Sequence, residues 1–342
     1  MKNFTVVSIL LLCSTLASAQ TPAGPAPAGI VVGSGNFFSP IVRDLDKAVA
    51  FYRDGLGFNV QGQPSDAATN PELRNMFGLP DAKIRWVIAR PPGMTSGVEI
   101  IEISDAGGRP LNRRMQDPGA TTLLVIVRDL DAVFTRLKAL GAPVVTVGGA
   151  PASVPMGNGT MGRLLMVQDP DGHFVEVVQP GELPPAQSAT PPNFIEVRVR
   201  LTVADLQRSM RLYRDSLGLE LMNESQFSDT VAGALGVPGS RYRFGMMRVP
   251  ASGLVFEVIE FAGVERQTVL GRIQDPGSTR IQLRVRSMAE AIAALGKSGG
   301  AVVSAGGVPV ELPAGANKIK AAIDREPDNL FLVLIESPPP AR

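Results

Sequence analysis

The stretch "VQDPDGHFVEVVQP", Val167 to Pro180, sets the chain's only histidine, His173, three residues before an isolated acid, Glu176, in an apolar run. Imidazole and carboxylate are both metal ligands and proton carriers, so the pair could be half of a metal site. It could equally be a turn, "DPDGH", leading into a strand. In a strand an odd spacing sends two side chains to opposite faces, which makes His173 a turn exit rather than a partner of Glu176. Two further acidic pairs recur as Glu-x-x-Glu, Glu99 with Glu102 and Glu257 with Glu260, again in apolar runs. Other chemistries are thin. No Gly-rich phosphate loop is present, no nucleophile has a neighbouring base, and a single histidine leaves little from which to build a Ser-His-Asp triad.

These acids sit inside a repeat. "RDLDKAVAFYRDGLGFNV" (Arg43–Val60) matches "ADLQRSMRLYRDSLGLEL" (Ala204–Leu221), and "RMQDPGATTLLVIVRDL" (Arg114–Leu130) matches "RIQDPGSTRIQLRVRSM" (Arg272–Met288). The copies lie about 160 residues apart, which makes two homologous modules. Each module is itself double. Asp44 can cap a helix with the apolar face Leu45, Ala48, Val49, Tyr52 and Leu56, stopped by Gly57. Asp129 can cap another with Leu130, Val133, Phe134, Leu137 and Leu140, stopped by Gly141. Module two repeats this at Asp205 to Gly218 and Ser287 to Gly299. An apolar, β-rich run precedes each helix, and short runs such as "KIRWVIAR", "VEIIEIS", "GRLLMVQ" and "HFVEVV" follow. The predicted unit is strand, helix, three strands, used four times. "QDPG" at Gln116–Gly119 and Gln274–Gly277 is the turn joining the two halves of a module. The fold class expected is α+β: tandem modules, each a pair of βαβββ units forming a curled, mostly antiparallel sheet around a cavity.

The ends read differently. "MKNFTVVSILLLCSTLASAQ" has the layout of a secretory signal over 1–19, with Lys2, an apolar run too short to span a bilayer, and Ala17-Ser18-Ala19 for cleavage. Cleavage there removes Cys13, the only cysteine, so disulfides and thiolate metal sites fall away. A lipid-attachment role for Cys13 is the competing reading, though "LLLC" lacks the small residues that usually precede one. Residues 20–33, with "TPAGPAPAG", read as a flexible tether. Module one then covers 34–180, a Pro-rich linker 181–192, module two 193–337 and a tail 338–342. The expected location is exported, periplasmic or extracellular. Apolar residues make up 44% of the 342, charged residues 19%, and net charge is +1, so composition supports well-formed cores and no electrostatic case for nucleic acid.

Together, "VRDLDKAVAFYRDGLGF" and "DPDGHFVEVV" resemble the vicinal oxygen chelate superfamily: glyoxalase I, fosfomycin- and bleomycin-resistance proteins, extradiol dioxygenases and methylmalonyl-CoA epimerase. The resemblance implies four strand positions that hold a divalent cation, two usually His or Gln and two usually Glu. Counted from the motifs, seven residues before each helix cap, the neutral positions are Phe37 and Thr122 in module one and Arg198 and Arg280 in module two. The acids fall at Glu99 and Glu176, then at Glu257 with Val333 in place of the fourth. Module one therefore keeps two carboxylates for Mg²⁺, Ca²⁺ or Mn²⁺, with Arg85 or Arg163 as alternative partners for a metal-free pair. Module two pairs Arg198 with Arg280, which suits a carboxylate or phosphate, unless either arginine bridges to Glu257 or reaches solvent.

Three functional readings follow. The first is a secreted protein like the resistance proteins, binding a small molecule in its cavities without the full metal site. Phe37, Thr122, Arg198, Glu257 and Arg280 would line its cavities, and the Met-rich "RFGMMRVP" would add an adaptable wall. The alternative is a divergent divalent-metal-dependent lyase, isomerase or dioxygenase using Glu99 and Glu176, so whether the chain is an enzyme stays open. The third is a module pair that works through its surface. Expected partners are a small-molecule ligand, no nucleic acid and no membrane span, with oligomeric state open. The only cofactor in view is a divalent metal in module one.

Overall fold

Four side-chain caps mark where the repeated helices begin. Asp44 accepts from the Lys47 amide at 3.0 Å, Asp129 from Ala132 at 2.9 Å, Asp205 from Arg208 at 3.0 Å and Ser287 from Glu290 at 3.3 Å. The computed structural model describes residues 29–64, 70–156, 159–185, 191–314 and 317–336. The expected export signal, most of the tether and the tail lie outside these residues.

Unit one contains β1 (Val31–Ser34), β2 (Ser39–Val42), α1 (Leu45–Ala50), β3 (Asn59–Gln61), α2 (Pro71–Phe77), β4 (Lys83–Arg90) and β5 (Val98–Ser104). Unit two contains β6 (Thr121–Val127), α3 (Leu130–Ala139), β7 (Ala152–Pro155), β8 (Met161–Gln168) and β9 (Phe174–Gln179). Unit three contains β10 (Phe194–Thr202), α4 (Leu206–Met210), β11 (Glu220–Glu224), β12 (Arg241–Arg248) and β13 (Val255–Ala262). Unit four contains β14 (Thr279–Val285), α5 (Met288–Lys297), β15 (Ala301–Val302), β16 (Val310–Ala314), β17 (Asn317–Arg325) and β18 (Phe331–Glu336). The helices α1 and α4 widen into π turns over Phe51–Gly55 and Arg211–Ser216, and Gly57 and Gly218 then turn the chain at φ 81° and 85°.

The fold class is the one expected, a mixed α+β chain of βαβββ units in curled sheets. The pairing of the units is not. Each sheet draws one unit from each module. One sheet runs β15-β17-β18-β14-β2-β5-β4-β3, with β1 on β14 and β16 on β17, so it joins units four and one. The other runs β11-β12-β13-β10-β6-β9-β8-β7 and joins units three and two. The opening strand of a unit lies parallel to its own last strand, which leaves one edge unpaired, and an unpaired edge is satisfied by another strand. In the second sheet β10 meets β6 antiparallel, with Arg198 opposite Leu124 and Arg200 opposite Thr122. In the first, β14 meets β2, with Arg280 opposite Ser39.

Within a module the halves pack instead through helices. A Cβ at Gly55 would stand 2.7 Å from the Leu137 side chain, so only glycine lets α3 come this close, and Arg136 Nε donates to the Gly55 carbonyl at 3.1 Å. The predicted apolar face of α1 is fully buried, whereas Leu140 at the end of α3 is exposed. Alternation along β6 divides the cores. Leu123, Val125 and Val127 join the large core that includes the helices, while Leu124 and Ile126 belong to the concave face of the second sheet. Both "QDPG" stretches are turns, and they brace opposite modules: Asp117 accepts from the Gln267 amide at 2.8 Å and Asp275 from the Arg109 amide at 2.8 Å. Among the described residues no helix is long and apolar enough to cross a membrane.

Candidate functional site: a cleft on the second sheet

The concave face of the second sheet is open. Its cleft encloses about 740 Å³ of non-atom space, mouth included, between walls such as Val154, Met156, Leu164, Leu235, Phe244 and Ile259. The floor is polar. Arg198 and Arg200 are two residues apart on β10 and so share a face. Glu176 on β9 and Glu257 on β13 flank them. Arg200 donates through Nε to Glu257 Oε2 at 2.9 Å and through Nη1 to Glu176 Oε2, holding one carboxylate on either side. Arg198 donates through Nη1 to Glu257 Oε1 at 3.4 Å and through Nε to Glu196 Oε1 at 2.8 Å. Its Nη1 also lies 3.4 Å from Met246 Sδ. Tyr242, from β12, completes the floor.

The two carboxyls are pushed apart. Burial pushes Glu176 up, and Arg200 offsets this only in part. Burial also opposes ionisation of Glu257, but there the guanidiniums of Arg200 and Arg198 outweigh it and hold the group below its ordinary value. Burial pushes the Tyr242 phenol up to about 12.

The first sheet builds the same plan and closes it. Three donors converge on Glu99 Oε2: Arg280 Nη2 at 3.0 Å, Gln282 Nε2 at 3.0 Å and Ser39 Oγ at 3.2 Å. The Phe77 ring, from α2, lies 4.5 Å from the Arg280 guanidinium carbon and covers it. Met76, Phe77, Phe331 and Val333 fill the concave face as an apolar core.

The sequence-derived residues are therefore regrouped. Glu99 and Glu176 stand in different sheets, each with its own arginine, so the shared two-carboxylate site of module one is not formed. Neither Arg85 nor Arg163 reaches these acids; Arg85 pairs with Glu102 at 3.4 Å and Arg163 with Asp131 at 2.6 Å. The paired anion site of module two is not formed either, because Arg198 is in the second sheet and Arg280 in the first. The reason is the cross-module pairing of units. Glu257 does line the open cleft beside Arg198. Thr122 is buried below it, with its hydroxyl on Met115 Sδ at 3.5 Å. Phe37 is buried in the large core rather than in a cavity wall, because the irregular link between β1 and β2 breaks the strand alternation.

Counting from the motifs missed the residues two positions further on. Ser39, Arg200 and Gln282 all touch the carboxylates. The two-residue strand period was the available signal for them, since the same face recurs at every second position. Gly35 is needed here, because a Cβ would fall 2.2 Å from Gln282 Oε1, which accepts from the Asn36 amide. His173 is not in the cleft. Buried, it contacts Asp169 through Nδ1 at 3.0 Å and the Ser278 carbonyl through Nε2 at 3.0 Å, tying the turn before β9 to the start of β14.

The family's divalent cation does not fit this donor set. Among the described residues no three acidic, His or Cys side chains converge. The inward oxygens of Glu176 and Glu257 already accept guanidinium protons, and a cation would have to sit beside two positive charges.

Paired βαβββ units curled around a cleft, with acids on their last strands, define the vicinal oxygen chelate fold. Residues 36–177 match the family model of the Glyoxalase/Bleomycin resistance protein/Dioxygenase superfamily. Among solved structures, glyoxalase I from Zea mays is similar with TM-score 0.55 and 18% identity, over 88% of this chain and 92% of that one. A Bacillus subtilis protein named as a candidate dioxygenase gives TM-score 0.53 and 15% identity, over 91% of this chain and 87% of that one. At these identities the likeness is one of fold. No curated protein matches the sequence.

Proposed function

We propose that this chain is an exported vicinal oxygen chelate protein that binds a small molecule in the cleft of the second sheet without a metal ion. The observation that carries the reading is Arg200, fixed between Glu176 and Glu257 where the family resemblance places the carboxylate ligands of a cation. A guanidinium fills the ion's electrostatic role permanently and leaves an apolar-walled cleft with a few polar groups at its floor, the general form of a ligand pocket. Export rests on the N-terminal pattern of Lys2, the apolar run and Ala17-Ser18-Ala19. The test is binding of the neutral fluorophore N-phenyl-1-naphthylamine to mature protein and to Leu235→Trp, which fills the cleft. Fluorescence enhancement in the first and its loss in the second supports the reading; equal binding by both removes it. A fractionation that leaves the chain in the cytoplasm with Met1 intact would remove the export part alone.

A further inference from the structure

The two sheets hold the same site, one filled and one open, and two side chains mark the difference. "MFGLP" (Met76–Pro80) and "ALGVP" (Ala234–Pro238) are the same segment of the repeat. The structure fixes them in the same way. Ser304 Oγ donates to the Met76 carbonyl at 2.7 Å, and Thr146 Oγ1 donates to the Ala234 carbonyl at 2.9 Å. Gly78 and Gly236 then turn the chain at φ 67° and 79°. Ala234 thus stands where the first sheet has Met76, and Leu235 where it has Phe77. The larger pair helps to fill the first concave face, and the smaller pair leaves the second open.

Each concave face contains the same cross-strand pair. Arg280 on β14 stands opposite Ser39 on β2, and Thr122 on β6 stands opposite Arg200 on β10. Ser39 and Arg200 both lie five residues before their helix caps, whereas Arg280 and Thr122 both lie seven before theirs. Each pair therefore holds one arginine, on opposite members. Each arginine bonds the same acid of the repeat, Arg280 to Glu99 at 3.0 Å and Arg200 to Glu257 at 2.9 Å. In the first sheet the Phe77 ring covers the guanidinium at 4.5 Å. In the second sheet Leu235 has no ring to offer. The edges of the Arg200 guanidinium are taken, Nε and Nη2 by Glu257 and Nη1 by Glu176. What Arg200 has left for an occupant is its planar face.

We infer that the cleft takes a compound with a planar aromatic ring, which stacks on the Arg200 guanidinium in the position that the Phe77 ring occupies over Arg280. This rests on the cleft-binding reading above and narrows it. Phe244, Met156 and Met246 in the cleft lining suit such a ring, because aromatic edges and thioether sulfur both pack favourably on aromatics. A saturated ring would gain the apolar burial without the attraction between ring face and cation.

The experiment is displacement of N-phenyl-1-naphthylamine from mature protein by benzyl alcohol and by cyclohexylmethanol, which share a carbon skeleton and a hydroxyl and differ in the ring. Benzyl alcohol should displace the fluorophore at a concentration about fivefold lower, although its saturated counterpart is the more apolar. Arg200→Lys keeps a cation between the acids without a planar face, and should bring the two alcohols to within about twofold of each other. Leu235→Phe tests the same stacking with Arg200 in place. It should supply the ring from the chain itself, so that fluorophore binding is lost and the melting temperature rises. Equal displacement by the two alcohols overturns the inference while leaving the cleft as a binding site. So does a full preference for benzyl alcohol in Arg200→Lys, or a lowered melting temperature in Leu235→Phe. A fluorophore that never binds the unsubstituted protein removes the cleft-binding reading, and the inference with it.

Discussion

Arg200 and Glu257 are register partners on adjacent parallel strands, and the Arg200 guanidinium reaches sideways to bond Glu257 at 2.9 Å while its other arm holds Glu176. One side chain thus bridges two acids from two different modules. The consequences for stability are specific.

Replacing Arg200 by Met strands both carboxyls in a buried floor. Removing one partner of a buried ion pair costs about 3–5 kcal/mol. The expected loss in unfolding free energy is of that order near neutral pH. It should shrink as pH falls, because the depressed Glu257 and the raised Glu176 both become neutral in acid. Denaturant unfolding at two pH values reads both effects, and a deficit independent of pH would contradict the pairing.

Arg280→Met should separate the two sheets functionally. Arg280 holds Glu99 under the Phe77 ring in the filled first sheet, far from the cleft lining. Thermal stability should drop, while N-phenyl-1-naphthylamine affinity measured below the transition stays within about twofold, as for an independent site.

His173 gives stability a pH limit. Both of its ring nitrogens face acceptors, Asp169 and the Ser278 carbonyl, so both need a proton. Burial alone would push His173 down, but the Asp169 carboxylate outweighs it and holds the imidazolium above its ordinary value. A raised pKa contributes stability that is complete below the ordinary imidazole value, about 6.5, and is lost as pH rises through the folded value. His173→Gln should remove this alkaline slope as well as lowering stability. Thermal unfolding across a pH series measures it, and a slope that survives the substitution would place its origin elsewhere.

Unit four carries the opposite device. There Leu330 stands where unit two has His173, and Glu326 stands where unit two has Asp169. Without the imidazolium, burial pushes the Glu326 carboxyl up to about 8, and its Oε2 has no hydrogen-bond partner among the described residues. A carboxyl whose pKa is higher folded than unfolded costs stability as pH rises from its ordinary value toward 8. Glu326→Gln should therefore raise the melting temperature at pH about 8, by roughly 2 °C or more, with little change near pH 5. An equal shift at both values would rule out a titration effect.

Much of this architecture was legible from patterns that local chemistry enforces. Caps at Asp44, Asp129, Asp205 and Ser287 recur because a helix start needs an acceptor for its free amides. The four-unit repeat follows from those caps and from alternating strands. Which unit meets which was not legible. The four opening strands carry the same pattern and the same unpaired edge, so nothing local distinguishes β6 meeting β10 from β6 meeting β2. That choice alone moved Glu99 away from Glu176 and Arg280 away from Arg198. The face of the site was readable and its depth was not: strand period places Arg198 and Arg200 together, but only packing determines which of them is clamped between acids. Tyr242 had no motif to mark it. It enters with Phe244 and Met246, the alternate positions of β12 that line the cleft.

The central claim is that a guanidinium, not a cation, organises the cleft. Titration calorimetry of chelator-treated mature protein with Zn²⁺, Mn²⁺ and Mg²⁺, followed by N-phenyl-1-naphthylamine binding with and without each metal, tests it most directly. The expected result is no stoichiometric metal binding and a fluorophore affinity that the metals leave unchanged. Stoichiometric binding of any of these ions that is abolished by Glu176→Gln and by Glu257→Gln would contradict it.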